Sequence, residues 1–298
     1  MRARILLQVV VPLTLGAFSV GVLAVEPAES PAERSTAVAD WKANAVSRPS
    51  KPGASPAATP TSTSAPGSAE ITAPAKFTIA IDIGHLPKKG GAISARGVFE
   101  YKFNRRLANE LFQRLQTSSY VRPFLINPDG LEISLAKRAQ EANSQKADLF
   151  LAIHHDSVKD SYLKTWEFDG KTQKYCDDFQ GYSIFMSNKN AKPLESLGFA
   201  TTLGQALLKA GFTPTLHHAT QENRPVLDKE KGIYSFDDLV VLKTARMPAV
   251  LLECGVIVNR AEEEKLNDPV YRNRLIDAIS SAVENLAVTA QSSPEKKD

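Results

Sequence analysis

Three of the five histidines stand directly after apolar, β-branched runs, where a sheet core would not tolerate them. His85 closes Ile81-Asp82-Ile83-Gly84-His85, just downstream of Phe77-Thr78-Ile79-Ala80. His154 and His155 precede Asp156 at the end of the run from Asp148 to Ile153, and Glu253 follows Ala249-Val250-Leu251-Leu252. Imidazoles with a carboxylate are the donor set of a catalytic zinc site, which takes three protein ligands and keeps one position open. Spacing alone leaves this unsettled, because the candidates are scattered and there is no local His-Glu-x-x-His signature. The same residues fit a His85 that caps a turn and a Glu253 paired at a sheet edge. Cys254, beside Glu253, opens a second chemistry, that of a cysteine hydrolase, although an inert buried thiol is the commoner state at the end of an apolar strand.

These groups meet only if the runs before them are strands of one sheet. Phe77–Ile81, Asp148–Ile153 and Ala249–Leu252 are apolar on both faces, which predicts central strands of a covered, mostly parallel sheet. Val121–Ile126, Tyr182–Met186 and Leu239–Leu242 are further strand candidates. Helical patterns lie between them. Asn104 can cap a helix with Leu107, Leu111 and Leu115 on one face, and Ser134 can cap another running to about Asn143. Asp268-Pro269 reads as a helix start, followed by the stripe Leu275, Ile276, Ile279, Val283 and Leu286. The alternation predicts an α/β domain of three layers, a mostly parallel central sheet flanked by helices. In such sheets ligands bind in the crevice beyond the carboxyl ends of the strands, which is where His85, His154 and Glu253 would stand.

The rest of the chain bounds the setting. Arg2 and Arg4 precede an apolar run from Ile5 to Ala24 that ends in small residues, the pattern of an export leader over 1–24. Pro12 and Gly16 inside the run favour a cleaved leader over a retained membrane anchor. Residues 25–75 are crowded with Pro, Ala, Ser and Thr and predict a disordered linker, leaving 76–288 as one globular domain and 289–298 as a flexible tail. The expected location is periplasmic or extracellular, with no stable membrane span after cleavage. The net charge of +3 falls by two when Arg2 and Arg4 leave, so no basic face for nucleic acid is implied. Cys176 and Cys254 are the only cysteines, enough for one bridge and no framework.

Four blocks, IAIDIGH, GVFEYKFNRRLA, KRAQEANSQKADLFLAIHHD and LKTARMPAVLLECGVIVNRAEEEKLNDPVYRNRLIDAI, together resemble the catalytic domain of zinc-dependent N-acetylmuramoyl-L-alanine amidases, across nearly all of residues 77–287 and in the family order. The resemblance implies one Zn²⁺ held by His85, Glu100 and His154, a catalytic Glu253, and peptidoglycan as substrate, cut between N-acetylmuramic acid and L-alanine. His154 is preferred to His155 because the family ligand directly follows the apolar run. His217 and His218 match no family ligand and are expected to be exposed in a polar loop. This chain departs from the family in carrying Leu86-Pro87-Lys88-Lys89 before Gly90-Gly91, and it lacks the usual wall-targeting modules. A catalytically silent wall-binding or regulatory protein would be marked by a lost ligand or base, and all four positions hold competent residues. The long, aromatic segment Val158–Gln180 resembles an insertion that, in some relatives, covers the zinc until a protein partner withdraws it. Here it is expected to be a lid on which an activator acts, with Glu167 the candidate for the open metal position.

Overall fold

The computed structural model describes residues 75–292. The expected leader over 1–24, the linker up to residue 74 and the end of the tail from 293 lie outside the described residues. In chain order the elements are β1 (Phe77–Ile83), α1 (Glu100–Gln116), β2 (Val121–Ile126), α2 (Leu135–Ser144), β3 (Leu149–Asp156), β4 (Lys164–Phe168), β5 (Lys171–Tyr175), β6 (Ser183–Met186), α3 (Pro193–Lys209), β7 (Val226–Asp228), β8 (Ile233–Ser235), α4 (Val240–Lys243), β9 (Ala249–Val256), α5 (Arg260–Asn267) and α6 (Pro269–Ser292). Seven strands form one sheet in the order β2-β1-β3-β9-β6-β8-β7, with β2, β1, β3 and β9 parallel. The β6 strand runs antiparallel to β9, β8 runs parallel to β6, and β7 turns back along β8. This is the expected mostly parallel sheet between helices.

The strands alternate between two cores. Ile79, Ile81, Leu149, Leu151, Ile153, Val250 and Leu252 pack with Leu107 and Leu111 of α1, Phe199 and Leu203 of α3, and Leu275, Ile279 and Val283 of α6. Ala80, Phe150, Ala152, Phe185 and Leu251 face the other way, onto Ala139 and Ala142 of α2 and Val241 and Leu242 of α4. The chain crosses from β2 past β1 to β3, so the sheet reverses its winding between β1 and β3 and opens a crevice there. Among the described residues no helix is long and apolar enough to cross a membrane.

Three sequence expectations change. Residues 239–242, read as a strand, enter the single helical turn α4, and β8 takes the sheet position beside β6 instead. Burial of Val241 and Leu242 against α2 overrides the β-branched preference of Val240 and Val241. Asn104 does not cap α1: the helix starts at Glu100, after Phe99, and Asn104 is fully buried one turn in. The α6 helix continues past 288 to Ser292, so the first part of the expected tail is helical. Ser134 does cap α2, accepting from the Lys137 amide.

Candidate metal centre and catalytic carboxylate

Side chains of a strand alternate between faces, so position decides what can meet. Asp82, His154 and Glu253 share the parity of Ala80, Ala152 and Leu251 and therefore the face covered by α2 and α4. His154 stands opposite Glu253 in the β3–β9 register. Gly84 follows β1 where a Cβ would lie 2.5 Å from the His154 Nε2, so a side chain there would push the imidazole out. The next residue, His85, has φ 65°, a left-handed conformation that costs a non-glycine residue of order 1–3 kcal/mol. Arg138 from α2 holds it: its Nη2 donates to the His85 carbonyl and its Nη1 to the Ile83 carbonyl and Asp82 Oδ1, all at 2.6 Å.

Glu100, the first residue of α1, divides its two oxygens between two imidazoles. Its Oε2 is 3.0 Å from His85 Nε2 and its Oε1 is 3.0 Å from His154 Nδ1. Ligand atoms of the three residues lie within 4.8 Å of one another. Backbone amides of Ala92 and His155 and the Asn104 Nδ2 also donate to this carboxylate, fixing its orientation. Burial opposes ionisation of Glu100, but hydrogen bonds from His154 and His85 outweigh it and hold the group well below the usual carboxylate range. Gly91, at φ 76°, passes this pair so closely that a Cβ would meet Glu100 Oε2 and the His85 ring. The Leu86–Lys89 turn is therefore followed by a glycine that returns to the cluster. His155 is elsewhere: its Nδ1 donates to Asn104 Oδ1 at 2.7 Å, its ring packs on Phe103, and burial lowers its pKa to about 3, so it stays neutral.

Glu253 completes this face. Its Oε2 is buried without a hydrogen-bond partner. Burial first, then the negative charges of Asp156 and Glu100, push its carboxyl well above the usual range. A raised carboxyl of this kind can both take and return a proton. Beside it, a groove of about 590 Å³ is lined by His85, His154, Leu86, Leu135, Val241 and Leu251.

His217 and His218 are not exposed, contrary to expectation; both are buried, and with Asp156 they form a second group whose ligand atoms lie within 4.8 Å. The hydrogen bonding of this group opposes a metal. Arg224 Nη1 donates to His218 Nδ1 at 2.8 Å, which leaves the ring proton on Nε2, and that Nε2 donates to Asp156 Oδ2 at 2.5 Å. His217 Nε2 faces the Ser157 carbonyl at 3.2 Å and Asp156 Oδ2 at 3.3 Å, and its Nδ1 lies 2.9 Å from Thr215 Oγ1. The group is a carboxylate clamp that ties the 217–224 loop to the end of β3. Burial opposes ionisation of Asp156, but the bonds from both histidines hold it low.

Cys254 has the opposite parity from Glu253 and is buried in the core beneath α6. Burial, then the charges of Glu253 and Glu100, push its thiol well above the usual range, leaving no thiolate for a nucleophile. Cys176 lies in a separate cluster with Val256 and Val258, and both cysteines are free thiols. Residues 158–180 form a hairpin, β4 paired with β5 across Asp169-Gly170, whose positive φ values of 51° and 67° suit a tight two-residue turn. Glu167 is exposed on it and accepts from Thr172 Oγ1 at 2.7 Å, so it is not brought to the His85–Glu100–His154 cluster. Trp166 instead donates from Nε1 to the Ala95 carbonyl at 2.8 Å, inside the loop between His85 and Glu100.

Residues 79–285 match the family described as N-acetylmuramoyl-L-alanine amidase. The probable N-acetylmuramoyl-L-alanine amidase AmiB of Haemophilus influenzae is 28% identical over 220 residues, which is 67% of this chain and 50% of that protein, so the chain spans about half of that relative's length. The crystal structure of N-acetylmuramoyl-L-alanine amidase from Clostridium difficile 630 superposes with a TM-score of 0.57 at 23% identity, covering 72% of this chain and 98% of that one. The CwlD amidase of Clostridioides difficile, solved in complex with the GerS lipoprotein, superposes with a TM-score of 0.53 at 19% identity over 72% of this chain and 100% of its own.

Proposed function

This chain belongs to the N-acetylmuramoyl-L-alanine amidase family, and from that premise we propose that it is a zinc-dependent hydrolase of the amide bond between N-acetylmuramic acid and L-alanine in peptidoglycan. The observation that carries the reading is the convergence of His85, Glu100 and His154 beside Glu253, a carboxylate with a buried, unpartnered oxygen. Two imidazoles and a carboxylate, the carboxylate oriented by Asn104 Nδ2 and by the Ala92 and His155 amides, fit one Zn²⁺. Zinc held there would polarise the scissile carbonyl and make an attacking water more acidic.

The chain's own residues supply the rest. Glu253 takes the proton of the attacking water and passes it to the departing L-alanine nitrogen, so that the amide C–N bond breaks as the lactyl carboxylate forms. Arg138, paired with Asp82, holds the His85 backbone, and Asn104 with the Ala92 and His155 amides holds Glu100. The groove lined by Leu86, Leu135, Val241 and Leu251 offers an apolar wall for the substrate next to both imidazoles.

Export to the periplasm or the exterior rests on the composition of residues 1–24. A protein activator acting on residues 158–180 would pull on the Ala95 carbonyl through Trp166, and so on the loop that leads to Glu100. The test is digestion of isolated peptidoglycan by the purified protein, with elemental analysis. One zinc per chain, new L-alanine amino termini, and inhibition by a chelator but not by a thiol alkylator are expected. A zinc-loaded protein that releases no L-alanine termini overturns the reading and leaves a silent wall-binding protein.

A further inference from the structure

Five buried side-chain polar atoms among the described residues have no hydrogen-bond partner, and two of them, Ser183 Oγ and Glu253 Oε2, belong to residues that stand opposite each other in the sheet. Ser183 pairs with Glu253 in the antiparallel β6–β9 register, and Glu253 pairs with His154 in the β3–β9 register. Directly opposed residues point to the same face, so the three side chains form one row across β6, β9 and β3, about 5 Å from strand to strand. The burial pattern agrees: Tyr182 and Ile184 pack into the core with α3 and α6, while Phe185, two residues from Ser183, joins Leu251 on the other face. Ser183 therefore flanks Glu253 on the side away from His154, and it is wholly enclosed. It is the polar residue of an otherwise apolar strand, Ser183-Ile184-Phe185-Met186, and burying a hydroxyl without a partner costs stability.

The two carboxylates of the site differ in how they are held. Glu100 accepts from Asn104 and from the Ala92 and His155 amides, whereas no described residue hydrogen-bonds the Glu253 carboxyl. A base that must aim at one water needs its side chain fixed. A hydroxyl suits that task, because it donates to a carboxylate and accepts from a carboxylic acid. We propose that Ser183 is a positioning residue that holds the Glu253 carboxyl in both protonation states, its free hydroxyl turning to Oε2. The catalytic consequence rests on the amidase reading above. Ser183 has no exposed surface to offer a substrate, so its effect passes through Glu253.

The test uses Ser183→Ala and Ser183→Cys, the second of which keeps a group in the hydroxyl's place that donates only weakly. In each, kcat for a soluble muramyl peptide should fall about tenfold to a hundredfold, the size of one hydrogen bond to a charged group, with KM, metal content and a cooperative melt retained. On a Glu253→Gln background, Ser183→Ala should cost nothing further. An unchanged kcat in Ser183→Ala, a cysteine variant as active as the unmodified protein, or a loss that adds in full to that of Glu253→Gln overturns the proposal. So does a loss of metal or of the cooperative melt, because the hydroxyl would then serve packing. A readout without turnover is the carbonyl band of protonated Glu253, isolated as the infrared difference between the unmodified protein and Glu253→Gln. It should shift to higher frequency in Ser183→Ala, where the acid lacks its hydrogen bond. An unmoved band overturns the contact whether or not the protein cuts peptidoglycan. A shifted band in a protein that releases no L-alanine termini upholds the contact and removes the amidase reading alone.

Discussion

Glu253→Gln keeps the outline of the side chain and removes its capacity to accept a proton, so hydrolysis should fall about 10²–10⁴-fold. Zinc content by elemental analysis should not change. His85→Ala, Glu100→Ala and His154→Ala should each lose metal together with activity; full zinc loading of His154→Ala would transfer the ligand role to His155. Arg138→Ala strands the buried Asp82 carboxylate and should cost about 3–5 kcal/mol in denaturant unfolding, as breaking a buried pair does. A loss within experimental error would mean that Asp82 simply takes up a proton, toward which burial already pushes it. At this scale the proposed site was legible in the sequence wherever it stands at a strand end, as at His85, His154 and Glu253. Glu100 carried no such mark, since a single acid at a helix start is ordinary; only the family resemblance pointed to it. Asp156, His218 and Arg224 could not be read, because Asp156 and His218 lie 62 positions apart and nothing local predicts their contact.

Glu262 joins three elements: from α5 it accepts the amides of Val256, in β9, and Gly181, just ahead of β6. Burial raises its pKa to about 7 despite those two bonds. A folded-state value above the unfolded 4.5 means that the protonated form is favoured by folding. Its contribution is complete below pH 4.5 and is lost as pH rises through 7, about 3 kcal/mol in all. Unfolding free energy measured by denaturant between pH 4.5 and 8 should fall accordingly, and Glu262→Gln should flatten that slope; a slope unchanged in the variant would assign it to another group. The element borders show where patterning sufficed. The β1, β3 and β9 runs are apolar throughout and could be read directly, as could Ser134 and Asp268-Pro269. The α3 and α5 helices went unread although Pro193 sits at the first position of one and Asn259 caps the other, accepting from Ala261 and Glu262. The hairpin escaped because its strands carry Lys and Thr at exposed positions and pair only with each other.

Among the described residues the two cores on either face of the sheet are built from Phe77 onward, and Gln291 Nε2 donates to the Ala75 carbonyl at 3.2 Å. A chain beginning at Ala75 should therefore melt cooperatively at the same midpoint as the full protein, followed by circular dichroism; loss of the cooperative transition would make the preceding segment part of the fold. The parity of β9 has a further consequence, for inheritance. Glu253 faces the crevice and Cys254 the core because each occupies its own frame of a two-residue repeat. Substitution along the strand changes size or polarity one position at a time. A one-codon insertion or deletion between Ala249 and Leu252 would instead turn the acid inward and send a neighbour into its place. Descendants of this gene should accordingly vary in letters along this strand while keeping its length, and length changes should gather in the connections on either side.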